Sequence, residues 1–133
     1  QLVASFSPEK RDRVNRLKSR VVIGVTASTY VQAGVSAPPK RVVQALHQAF
    51  VDQEVLEIRY RREDGAVSER RIEPHYLLLK YPVWYVVAVD HLRQAPRTFR
   101  CDRMIAASRT GDPFRLLPKP AFRSAMEGDD LAL

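Results

Sequence analysis

The stretch "LEIRYRREDGAVSERRI", residues 56–72, is where the period of the chain changes. Leu56, Ile58 and Tyr60 alternate with Glu57, Arg59 and Arg61, the two-residue period of a strand with one buried face. Glu63-Asp64-Gly65 supplies a hairpin turn, with glycine where a positive φ is needed. The return strand covers about residues 66–73 and Pro74 closes it. Just upstream, Val42, Val43, Leu46, Ala49 and Phe50 recur at helical spacing over residues 40–52, with Pro39 at the first turn. An amphipathic helix therefore hands over to a hairpin.

Downstream, "HYLLLKY" (75–81) and "VWYVVAVD" (83–90) are continuous apolar runs joined by the Tyr81-Pro82 corner, as in strands buried on both faces. A fifth strand is expected over about residues 97–104, "RTFRCDRM". Short strands at this spacing after a single helix predict a meander curled into a barrel, because closure removes exposed edges. The expected class is mainly β with flanking helices (α+β), a five-stranded barrel of the SH3 or Sm type.

Upstream, residues 7–20, "SPEKRDRVNRLKSR", read as a solvent-facing linker helix, with Ser7 as N-cap and Pro8 in the first turn. Residues 21–33 are rich in Val, Ile, Thr and Tyr and predict a strand, followed by the loop "GVSAPP" at 34–39. From Gly111 on, three prolines and an acidic end predict an extended connector. The expected division is a linker helix and extended segment over 1–37, the barrel over 38–114, and over 115–133 a connector to a further domain. With Gln1 at its start, the chain is expected to be a piece of something longer.

The 133 residues carry 22 basic side chains against 15 acidic ones, a formal net charge of +7, and 17 of the basic ones are arginine. Arginine's planar fork grips phosphate or carboxylate through paired hydrogen bonds and stacks on flat rings, so this excess points towards a polyanion. Arginine-weighted composition also arises in GC-rich genomes. The row Arg97, Arg100 and Arg103 sits on the fifth strand, where alternation sends Phe99 and Cys101 into the core and Arg100 outward. The alternative for this row is a surface ion pair with Asp102 or Asp90. Arg59, Arg61, Arg70 and Arg71 lie on the first hairpin, which neighbours the fifth strand if the barrel closes. Two cationic segments on adjoining strands would make one positive field able to attract phosphates. Tyr60, Tyr76, Trp84 and Tyr85 are either stacking platforms for bases or plain core.

Signatures of other classes are poor. The single Cys101 forms no internal disulfide, no Cys/His spacing suits zinc, and no metal or cofactor is expected. His47, His75 and His91 are scattered and the five glycines form no phosphate loop, so an enzyme is not expected. Asp90-His91 reads as an acid/base or metal pair, or as a hydrogen-bonded turn. No apolar run approaches the ~20 residues that span a membrane, and a reducing, cytoplasmic setting is expected.

Taken in order, the helix, "IRYR" (58–61), the glycine turn, "RRIEP" (70–74), "WYV" (84–86) and "RTFRCDRM" (97–104) resemble the WYL domain of bacterial transcription regulators, with Val86 where the family's third letter is Leu. The likeness covers about residues 39–114. It implies an Sm-like barrel that senses a nucleic acid or nucleotide, single-stranded DNA favoured, and signals to promoter DNA through a winged helix-turn-helix domain outside this chain. A homodimer is implied for the intact protein. Carried over motif by motif, the ligand-binding positions are Tyr60, Arg70, His75, Trp84, Tyr85, Arg97, Arg100 and Arg103. The competing readings are a constitutive RNA-binding Sm-like module and a protein-interaction or dimerisation domain.

Overall fold

A computed structural model of the chain describes residues 7–127; the outer ends of the expected linker and connector, 1–6 and 128–133, lie outside the described residues. The elements in order are α1 (Pro8–Ser19), β1 (Val21–Ile23), α2 (Thr29–Ala33), α3 (Lys40–Asp52), β2 (Glu54–Arg61), β3 (Val67–Lys80), β4 (Val83–Asp90), β5 (Ala95–Arg100), a 3-10 turn (Cys101–Arg103), β6 (Met104–Pro113), a second 3-10 turn (Lys119–Phe122) and α4 (Arg123–Met126). The class is α+β, mostly antiparallel sheet with flanking helices, as expected. The sheet order is β5-β4-β3-β2-β6, with β1 added in parallel against the far half of β3.

The sheet is barrel-like and open. Its edge strands β5 and β6 share no ladder among the described residues, although the turn Cys101–Arg103 joins them directly. The seam is bridged at one point by a side chain: the hydroxyl of Tyr60 on β2 accepts the backbone N–H of Arg100 at 2.9 Å.

Several strand limits differ from expectation, each for a physical reason. Pro74 does not end its strand; the expected third strand, "HYLLLKY", is the second half of β3, which bends at a bulge between Pro74 and Tyr76. A bulge is where a residue without an N–H is tolerated inside a sheet. Residues 97–104 divide at the turn into the end of β5 and the start of β6, and most of β6 went unanticipated. Within 21–33 only Val21–Ile23 is strand, because β3 ends at Lys80; Ser28 then caps α2 by accepting from the N–H of Val31.

Both faces of the sheet are covered. On the inner face, Val42, Leu46 and Ala49 of α3 pack on Leu56, Ile58, Ile72, Val86 and Phe99. On the outer face, Tyr76, Leu78, Tyr85 and Val87 pack on Phe122 and Ala125, so residues 115–127, expected as a connector, fold back onto the sheet. Burying a ring such as Phe122 contributes about 1.5–3 kcal/mol. This double cover is why β4 reads as an uninterrupted apolar run.

Candidate functional site

The inner face ends in a polar mouth. Pairing places Tyr60 opposite Ser68, Ile58 opposite Arg70, Ile72 opposite Asp90, and Ala88 opposite Arg97. Since alternate residues share a face, Ser68 and Arg70 of β3, Asp90 of β4 and Arg97 of β5 all lie on the face that carries Ile58 and Phe99. Arg62, two residues beyond Tyr60, continues the same alternation into the hairpin loop, where its N–H bonds the carbonyl of Ala66.

Within this mouth Arg70 and Asp90 form a buried ion pair, Nη1 on Oδ2, with side chains 4% and 0% exposed. Asp90 Oδ1 also accepts the N–H of Leu92, so Asp90-His91 opens a hydrogen-bonded turn. The side-chain atoms Arg62 Nε, Ser68 Oγ, Arg70 Nε and Arg97 Nε are buried and have no hydrogen-bond partner among the described residues. An unsatisfied buried donor costs about 1–3 kcal/mol, so structures seldom keep several. Here three share one face, and the fourth, on Arg62, lies in the adjoining hairpin loop, where its Nη2 pairs with Asp64 at 3.5 Å. Arg97 and Arg103 have no ion pair among the described residues.

The other residues expected at the site fall into separate places. Arg100 lies on the outer face, as alternation predicts, but it is not exposed. Its Nε and Nη2 grip Asp102 Oδ1 and Oδ2 at 3.0 and 2.8 Å, and Asp102 Oδ2 also accepts the N–H of Ser36. The hydrogen bonds to Asp102 push the pKa of Arg100 up. For Arg100, then, the ion-pair alternative is the one realised, because the outer face is covered as well as the inner. Arg103, half-buried in the turn, lies close enough for its charge to act on the phenols of Tyr60 and Tyr85.

Tyr60 is fully buried, its ring set edge-on to Phe99 at 5.1 Å, and burial pushes its phenol pKa up. Tyr85 is buried on the outer face. His75 is also fully buried. Its Nε2 accepts the N–H of Leu117 at 3.0 Å, so the ring proton is on Nδ1, donated to the carbonyl of Glu73 at 2.8 Å. Burial holds its pKa below the ordinary value. Trp84 is the one expected aromatic with a substantially exposed side chain, and it lines a cleft with Val35, Pro38, Pro82 and Asp102, away from the mouth. Arg59 and Arg71 lie on the outer face of the hairpin, paired with Glu69, Glu57 and Asp112.

Of the eight expected positions, Arg70 and Arg97 share the inner face, on either side of β4. Arg100 and Tyr85 share the other face, and His75 anchors the C-terminal segment. Arg62 and Ser68 were missed, although continuing the alternation of Tyr60 through the turn would have placed both on the inner side. Among the described residues no group of three His, Cys, Asp or Glu side chains could hold a metal, and no helix is long and apolar enough to cross a membrane.

Comparison with known proteins gives two findings. The family model described as "WYL domain" matches residues 41–109. Among solved structures, the chain is similar to Proteasome accessory factor B/C (PafBC) of Arthrobacter aurescens, with a TM-score of 0.52 and 29% identity over 60% of this chain. It spans only 13% of that protein's length.

Proposed function

From the premise that this chain belongs to the WYL domain family, we propose that it is the effector-sensing domain of a bacterial transcription regulator. Its effector is a nucleic acid or nucleotide, with short single-stranded DNA the leading candidate. The observation that carries this reading is the set of orphaned donors on Ser68, Arg70 and Arg97 of the inner face, with that of Arg62 in the adjoining hairpin loop. Phosphate oxygens satisfy such donors through charge-assisted hydrogen bonds, while the net charge of +7 draws the strand in.

Asp90 sets the selectivity of the mouth. A bound phosphate competes with its carboxylate for Arg70, so the site demands more than one cation and favours a chain of phosphates over a lone small anion. Arg103 at the adjoining turn extends the positive path. Base stacking is assigned no residue in the mouth, since Tyr60 and His75 are enclosed.

In this reading the effector acts on promoter DNA through a DNA-binding domain outside this chain, in a cytoplasmic homodimer, and the domain performs no chemistry of its own. Anisotropy of a labelled short single-stranded oligonucleotide, titrated with this chain at two salt concentrations, tests it. Salt-sensitive binding that is lost in Arg97→Ala supports the reading; binding that survives Arg97→Ala and Ser68→Ala together removes the face from consideration. Preference for matched RNA in competition would favour an RNA-binding module through 2′-OH contacts. No binding, with self-association in ultracentrifugation, would favour a dimerisation domain.

A further inference from the structure

The linker helix α1 has no buried residue, yet its C-cap, Arg20, is only 5% exposed. The Arg20 side chain turns into the body. Nε donates to the carbonyl of His75 at 2.8 Å, Nη2 donates to the carbonyl of Pro74 at 2.9 Å, and the guanidinium lies 4.0 Å from the centre of the Phe50 ring. Its backbone carbonyl accepts the N–H of Leu77. Arg20 thus clasps the bulge of β3 from below, where the ladder to β4 is interrupted and Pro74 has no N–H to give.

That bulge adjoins the mouth. Ile72, opposite Asp90, and Pro74, opposite Ala88, are successive inner-face positions on β3. A strand whose ladder is continuous resists sliding, whereas one with a bulge yields there first. Separating Arg70 from Asp90 releases the cross-strand tie between β3 and β4 just before that weak point. The carbonyls at that point, of Pro74 and His75, are those Arg20 holds.

We propose that Arg20 is a positioning residue that transmits the state of the Arg70–Asp90 pair to α1. That an effector is the natural trigger rests on the function proposed above; the mechanical link does not. Val14 and Leu17 of α1 lie along an apolar cleft with Phe50 and Val51 of α3, and Arg20 fixes the C-terminal end of the helix, whose order changes when that side chain's two acceptors shift.

The test is hydrogen–deuterium exchange of the peptide covering residues 8–19 in the 133-residue chain, run as a double-mutant cycle without ligand. Arg20→Met keeps an unbranched apolar stem and removes the donors together with the guanidinium over Phe50; Asp90→Asn breaks the ion pair as a competing phosphate would. Asp90→Asn is expected to change α1 exchange severalfold when Arg20 is present and to have no effect in the Arg20→Met background. Arg20→Met alone should speed α1 exchange about tenfold while β4 is unaltered, and Arg20→Lys should recover part of the protection. Equal effects of Asp90→Asn in both backgrounds, or none in either, overturn the proposal. If Asp90→Asn fails to fold, Arg70→Lys replaces it in the cycle. Should single-stranded DNA not bind the wild-type chain, the function falls while this cycle still decides the link.

Discussion

The backbone N–H of Arg100 donates to the hydroxyl of Tyr60 at 2.9 Å, across the seam where β5 and β6 share no ladder. A side chain does there what a strand pair does elsewhere. Tyr60→Phe keeps the edge-on ring contact with Phe99 and leaves a buried N–H unpaired, which costs about 1–3 kcal/mol. Thermal unfolding reads this as a lower Tm. An unchanged Tm would mean that the seam is held by packing alone.

Arg97 and Arg100 are three residues apart and behave differently. Arg97→Ala removes an orphaned donor, so stability should be almost unchanged while oligonucleotide affinity falls and the salt slope becomes shallower by about 0.7 for each phosphate no longer neutralised. Arg100→Ala leaves Asp102 without its partner, and breaking a buried pair costs about 3–5 kcal/mol. Chemical denaturation alongside anisotropy separates the two, and equal stability losses would contradict the assignment of faces.

His75 predicts a pH dependence. Its folded pKa is depressed below the ordinary 6.5, chiefly by burial, so the unfolded chain binds the extra proton more readily. The contribution is complete above the unfolded value and is lost as pH falls from there through the folded value. Protonation also removes the acceptor for Leu117, so tryptic cleavage after Arg123 should accelerate on acidification below pH 6.5 before the sheet unfolds. His75→Gln should flatten that response; a wild-type chain equally resistant at pH 7.5 and pH 5.5 would refute it.

Cys101 is buried, and burial pushes its thiol up to about 12. Only the thiolate reacts readily, so iodoacetamide should leave the native protein unlabelled and modify it on unfolding. Rapid labelling of the folded chain, followed by mass spectrometry, would show that the 3-10 turn opens.

The amphipathic helix α3 and the hairpin of β2 with the first half of β3 were legible because one buried face imposes a regular period on contiguous residues. The run 83–90 was legible as buried on both sides because two covered faces leave it apolar without alternation. β6 was hidden: few of its residues are buried, and glycine and proline near its end resemble a loop. Pro74 misled because its usual meaning, a strand end, is set aside when a bulge needs no N–H.

By itself the sequence determined the α+β class, the order of helix and strands around the hairpin, the cationic character and the family likeness, since each follows from local period, composition or ordered motifs. Tertiary structure alone decided which arginines are available. Arg70 and Arg97 are 27 positions apart yet share a face through the strand between them, and Arg100 is turned to the other side and neutralised by Asp102. Charge is a property of a residue; whether it is free to meet a ligand depends on what the fold brings within about 3 Å of it, and that is set by register across strands, not by spacing along the chain.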